Sequence, residues 1–393
     1  MVIYVLMLCS FAVATAEFVL VGLLPQIAAD LAVSVPAAGQ LVTVYMLVVT
    51  VGGPAATILT RRMPRRGLLA ATMALAAGSA ALSAFADSYG VLLAARVGSA
   101  LAQALFMAVA SEVAVAAVPA ERQTAAVARV FGGFALATVL GLPLGALTGQ
   151  AYGWHATFVA VALLAGVGLI GVLLFCPAIV AADVGSVARS TRSMVSGLVL
   201  RGLFITLLAL TGFVAVFTYI TPMLRSVSGF SPGLVSVALA GYGLGTIAGS
   251  VLAGRVPPAA VLRLLPVPVG ALALVLLGQG VLLRYQPLAL ASVILLGGAA
   301  FMIVPLVQAW LMGRVGPQAA GLAASINISV AGVAGALGAA LGGAVLAAGF
   351  SPAWISLFAA APALAGTAVA LDLRRRGSER PGLTASAEPN AAR

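Results

Sequence analysis

Three charged side chains interrupt long apolar runs, and their positions suggest proton and gating chemistry. Glu17 is the only charged side chain between Met1 and Pro25. Arg96 and Glu112 stand in another apolar run. A charge held at the centre of a bilayer costs about 3 kcal/mol unless it neutralises or finds a partner. Glu17 lies eight residues below Pro25, about 12 Å at helical rise. Arg96 lies seven below Tyr89, about 10 Å by the same rise. The two share a depth. Burial favours the neutral form of a carboxyl, and a neighbouring guanidinium favours the charged form. A group balanced in this way can take up and release a proton, which makes Glu17 the candidate carrier and Arg96 its partner. The alternative is a fixed ion pair. Glu112 sits about six residues from the end of its run, at the side where Arg61, Arg62, Arg65 and Arg66 lie. It reads as a gating or structural contact to those arginines, with proton transfer as the alternative.

Other chemistry finds little support. His155 is the only histidine and falls in a connecting loop, where a solvated side chain is the default. Cys9 and Cys176 lie far apart in apolar runs and read as small packing residues. Phosphate-loop, zinc and nucleophile–base signatures are absent. No enzyme, metal or cofactor is expected.

The elements that must hold these groups are membrane helices. The chain is 63% hydrophobic and 7% charged, against about 25% charged in a soluble domain. Apolar runs of about 20 residues recur between short polar breaks. Spans are expected at 3–25, 38–59, 67–86, 90–117, 126–150 and 156–176. A second set is expected at 200–222, 232–254, 264–283, 287–312, 319–348 and 353–372. The expected fold is all-α, with twelve transmembrane helices in two six-helix pseudo-repeat halves. Residues 1–176 form the first bundle, 177–199 a cytoplasmic linker, 200–373 the second bundle and 374–393 a disordered tail.

All twenty basic residues are arginine. When twelve spans alternate, Arg61, Arg62, Arg65, Arg66, Arg122, Arg129, Arg189, Arg192, Arg201, Arg255, Arg263, Arg314 and the C-terminal arginines share one side. Only Arg225 and Arg284 fall on the other. This asymmetry explains the net charge of +11 without nucleic acid and places both termini in the cytoplasm. The halves also repeat at an offset of 197: Pro25 meets Pro222, Tyr45 meets Tyr242, Gly52 meets Gly249, Gly141 meets Gly338 and Gly145 meets Gly342. Two parallel six-helix halves are a transporter pattern, with the substrate site between them near the midplane. The partners of Glu17 and Arg96 are Val214 and Val293, so the halves share architecture and differ in chemistry. Candidate cavity residues are Tyr45, Tyr219, Tyr242, Gln308 and Asn327, with Phe217 and Met302 as adaptable apolar wall. So little fixed charge favours a neutral or weakly polar substrate.

The sequence resembles the major facilitator superfamily and its twelve-span proton-drug antiporter branch. The stretch EFVLVGLLPQIAADLAVSVPAAGQLVTVYMLVVTVGGP, at 17–54, is similar to bacterial exporters of sugars, nucleosides and drugs. With RRMPRR at 61–66 it most resembles actinobacterial chloramphenicol exporters. The family's G-x-x-x-D-R-x-G-R-R loop is altered here to Thr57, Arg61, Arg62, Pro64, Arg65 and Arg66. Its acid and both glycines are gone. The span-five antiporter motif keeps Gly132, Gly141, Pro143 and Gly145, with Leu142 before the proline. The family's Gly-Trp-Arg is Gly153-Trp154-His155, and the span-four arginine matches as Arg96. The resemblance implies gating by Arg61, Arg62, Arg65, Arg66, Glu112, Gly141, Pro143 and Gly145. It also implies a monomeric inner-membrane exporter that exchanges protons for a small amphiphilic compound such as a phenicol. A sugar or nucleoside exporter and a transporter-like receptor are the rival readings.

Overall fold

The computed structural model describes residues 1–60, 63–119, 122–177, 196–315 and 317–378. Among them are twelve helices long and apolar enough to cross a membrane. The first six are α1 (Val2–Asp30), α2 (Val35–Thr60), α3 (Arg65–Ala84), α4 (Tyr89–Ala116), α5 (Gln123–Tyr152) and α6 (Trp154–Phe175). The second six are α7 (Gly197–Thr218), α8 (Pro232–Gly254), α9 (Val261–Leu282), α10 (Gln286–Val315), α11 (Pro317–Ala347) and α12 (Ala353–Ser378). Bilayer solvent explains the element type, since a spanning segment must satisfy its backbone internally. Serines mark several starts. Ser88, Ser196 and Ser231 accept from the backbone N–H of Val91, Val199 and Leu234 at the heads of α4, α7 and α8. Gly153 and Gly349, both at positive φ, turn the chain between α5 and α6 and between α11 and α12.

Packing follows the sequence repeat. In the first half α1 packs on α5 and α6, α2 on α4, and α3 on α4 and α6. In the second half α7 packs on α11 and α12, α8 on α10, and α9 on α10 and α12. The repeated glycines show why. Gly141 and Gly145 of α5 bring its backbone against Thr15 and Val19 of α1. Gly338 and Gly342 bring α11 against Thr211, Val214 and Tyr219 in the same manner. Small residues of this kind let membrane helices approach closely.

Some boundaries differ from the sequence expectation. Helix α1 runs through Pro25 to Asp30, whereas α7 stops at Thr218 and resumes as a short helix, Ile220–Ser226, that contains Pro222. Helix α12 continues to Ser378, so residues 374–378, expected in the tail, are helical. The rest of the tail lies outside the described residues, as do 178–195 of the expected linker.

The halves meet unevenly along their length. Gln150, near the α5 end remote from the termini, donates to the Pro232 carbonyl (3.0 Å) and to Ser236 Oγ (3.3 Å) at the head of α8. Thr138 and Thr246 hydroxyls meet at 3.0 Å near the middle of α5 and α8. Phe18 meets Phe217 edge-on at 6.2 Å. Toward the termini the first half has a separate core of its own, with Leu6, Leu69, Met73, Phe106, Val113 and Val130. The halves therefore close on the side away from the termini, and α2 packs along α11, with Met46 and Thr50 against Gly335 and Gly332.

Candidate functional site

Helices α1, α2 and α4 converge on the charged pair picked out in the sequence. Gln103 of α4 donates its amide N–H to Glu17 Oε2 at 2.6 Å. The Tyr45 hydroxyl of α2 donates to Gln103 Oε1, also at 2.6 Å. The Arg96 guanidinium lies 4.1 Å from the centre of the Tyr45 ring, over its face. Arg96 Nη1 donates to the Ala16 carbonyl at 2.6 Å, one residue before Glu17. Arg96 and Tyr45 are each 1% exposed, while Glu17 is only partly buried. Glu17 and Arg96 thus communicate through Tyr45 and Gln103 rather than by a direct ion pair. Helical spacing explains the ladder: Arg96 and Gln103 are seven apart, two turns on one face of α4. Gln103 was not among the sequence candidates. It carries no charge, and one glutamine in an apolar run looks like many others. Its signal was that spacing from Arg96.

The second half presents an aromatic surface to this network. Phe217 of α7 stacks on Tyr242 of α8 at 4.6 Å, and Phe213 stacks on Phe217 at 5.4 Å. Phe301 of α10 stands edge-on to Phe213 and Tyr242 at 6.3 and 6.4 Å. Phe18, next to Glu17, meets both Phe217 and Phe134 edge-on. The Tyr242 hydroxyl is buried and has no hydrogen-bond partner. Such a group costs about 1–3 kcal/mol until something satisfies it.

The other candidates occupy different places. Tyr219 closes the α7 break, donates to the Ala339 carbonyl at 3.2 Å and lies against Gly39 of α2, so it serves the seal between halves. Asn327 is fully buried in the second half and accepts from Thr206 at 2.8 Å. Gln308 and Met302 are partly buried on α10. Gly141, Pro143 and Gly145 are buried in α5, beside a π-helical stretch, Ala137–Gly141, that carries the Thr138 contact to α8. Turns of this type often mark functional sites within helices.

At the terminus side, Arg65 Nε meets Glu112 Oε2 at 2.8 Å, with Arg65 only 3% exposed. The partner of Arg65 is thus an acid on α4, inside the same half. Arg66 Nη2 donates to the Leu173 carbonyl of α6. Arg61 and Arg62 lie outside the described residues. His155 stacks on its neighbour Trp154, whose indole N–H donates to Asp30 Oδ2 at 2.8 Å. That bond ties α6 to the end of α1. Among the described residues, no group of three or more His, Cys, Asp or Glu could hold a metal ion.

A family model, Major Facilitator Superfamily, matches residues 6–339. The chain belongs to that superfamily. It is 36% identical over 344 residues to the uncharacterized MFS-type transporter YtbD of Bacillus subtilis, covering 86% of each chain. It is 34% identical over 369 residues to a chloramphenicol resistance protein of Streptomyces lividans, covering 92% of this chain and 94% of that one. It is 34% identical over 275 residues to a probable sugar efflux transporter of Pasteurella multocida, covering 69% of this chain and 67% of that one. The chain is accordingly a multi-pass membrane transporter of small molecules and not an enzyme.

Proposed function

We propose that this transporter exports a small neutral amphiphile, a phenicol such as chloramphenicol, from the cytoplasm in exchange for protons. The observation that carries the reading is Glu17. Among the described residues it is the one acid at depth between the halves, held by an uncharged donor and facing an aromatic wall. As a carboxylate, Glu17 accepts a hydrogen bond from Gln103 and from a substrate hydroxyl. Once protonated, it loses acceptor capacity and releases that hydroxyl. Substrate and proton then compete for one group, which is sufficient for exchange. A phenicol ring can lie on Phe217 and Tyr242, with a polar group satisfied by the Tyr242 hydroxyl. Closure away from the termini, combined with the arginine asymmetry, supports an inward-facing state that is ready to load.

In the test, inside-out vesicles from an expressing, pump-deficient host are loaded with acid and given labelled chloramphenicol. Accumulation that Glu17→Gln abolishes is the expected result. The sugar efflux relative favours a second reading, proton-coupled export of a sugar or nucleoside by the same residues. Gradient-driven uptake of labelled sugar without phenicol uptake would select it.

A further inference from the structure

The π-helical stretch of α5 leaves one carbonyl without a donor. Leu142 gives its N–H to the Ala137 carbonyl, five residues back. The next N–H in that register would belong to residue 143, a proline, which has none. The Thr138 carbonyl therefore has no partner in its own helix. The hydroxyls around it serve other carbonyls. Thr138 Oγ1 donates to Ala135 at 2.7 Å, and Thr246 Oγ1 donates to Gly243 at 2.7 Å. What the Thr138 carbonyl meets is Gly243 of α8, across the seam between the halves. A Cβ on Gly243 would collide with the Thr138 carbonyl oxygen and stand 2.6 Å from Val139 Cα. Only glycine leaves that space, and its Cα–H offers the carbonyl a weak donor. The matching place on the other seam is built differently. At the 197-residue offset Gly335 of α11 corresponds to Thr138, and Met46 of α2 to Gly243. A Cβ on Gly335 would meet Met46 Cγ and Sδ at 3.0 Å. A thioether can turn aside. A helix backbone cannot.

We infer that Gly243 is a positioning residue for the transport cycle, the socket in which α5 docks on α8 through its Thr138 carbonyl. Closure depends on the missing side chain, because the docking atom belongs to a main chain that cannot turn away. Opening stays within reach for the same reason. A carbonyl paired only with a C–H gains water as a partner when the seam parts. Pro143 sets this balance from within α5 by withholding its N–H. The inference concerns the movement of the halves and does not depend on the exported substrate.

The experiment reads how often the outer seam opens in the full chain. In a Cys9→Ala, Cys176→Ala background, Ser236→Cys places a thiol at the head of α8. The serine there is 3% exposed and accepts from Gln150 across the seam. An impermeant thiol reagent is added to right-side-out vesicles, and the labelling rate follows the open fraction. Gly243→Ala should raise that rate about tenfold. Gly335→Ala should leave it unchanged. Pro143→Ala, which supplies an N–H for the Thr138 carbonyl, should lower it about fivefold. Gly243→Ala combined with Pro143→Ala should fall back toward the parent rate. A parent-like rate in Gly243→Ala, an equal rise in Gly335→Ala, or a double variant as fast as Gly243→Ala would each overturn the inference. If Gly243→Ala aggregates on size exclusion, Pro143→Ala decides by itself, and an unchanged rate in that variant rejects the socket.

Discussion

Gln103 decides what the Glu17 carboxylate meets when it is charged. Its amide is a neutral donor, so it supports the carboxylate without fixing it as a permanent ion pair would. Gln103→Leu should therefore leave the carboxylate without that donor. Gradient-driven uptake should fall about fivefold or more in that variant, the worth of a hydrogen bond to a charged group. Unchanged uptake, measured in vesicles at equal expression, would remove Gln103 from the coupling network. Glu17→Gln should abolish gradient-driven uptake and keep counterflow, which needs no net proton movement. Tyr242 gives a separate test of substrate contact. Tyr242→Phe keeps the ring stack and deletes an unpartnered hydroxyl. Stability in detergent should hold or rise, while KM for the substrate should rise about fivefold, the worth of one hydrogen bond near 1 kcal/mol. At this scale the sequence was legible where charge interrupts hydrocarbon. Glu17 and Arg96 stood out because each is costly in its run. Gln103 was hidden because a neutral amide is cheap enough to pass as background.

Glycine spacing is what holds the α1 and α5 pair at the distance the site needs. Gly133, Gly141, Gly145 and Gly149 of α5 face Met7, Thr15, Val19 and Leu23 of α1 in turn. Glu17 sits between two of these contacts. Gly145→Val should push α1 and α5 apart and destabilise the protein by about 1–3 kcal/mol, as overpacking does. Gly132 belongs to the same sequence motif, yet a Cβ there meets nothing within 4 Å. Gly132→Ala should leave thermal unfolding and transport unchanged. Equal effects at both positions would contradict the packing account. The motif glycines were visible in the sequence, but their separate duties were not. Periodicity places residues on a face without saying which neighbour that face will meet. The break at Tyr219 escaped for a related reason. Pro25 and Pro222 align in the repeat, but α1 absorbs its proline and α7 does not.

A seal between the halves at the end remote from the termini implies, for a transporter that alternates access, a reciprocal state in which that seal opens. Most of the twelve-helix architecture was legible, because hydrocarbon imposes span length and the 197-residue repeat exposes the pairing. The state was not legible, since both states share one sequence and differ only in which contacts between halves are made. The seal offers a direct measurement. Cys9 and Cys176 are buried, and their removal gives a background free of reactive thiols. In it, Thr138→Cys with Thr246→Cys should cross-link on mild oxidation, because the parent hydroxyls are 3.0 Å apart. A disulfide needs about 2.05 Å between sulfurs, which small side-chain rotations can supply. Cross-linking should arrest transport and leave the terminus side open. A cysteine at Gly254, exposed at the end of α8 on that side, should then remain labelled by thiol reagents added from the cytoplasm. A cysteine at Ser351, exposed in the opposite loop, should be labelled only from outside. Reduction should restore transport. Full transport by the cross-linked protein would mean that α5 and α8 do not separate in the cycle, and the rocking of one half against the other would have to be replaced by a more local motion.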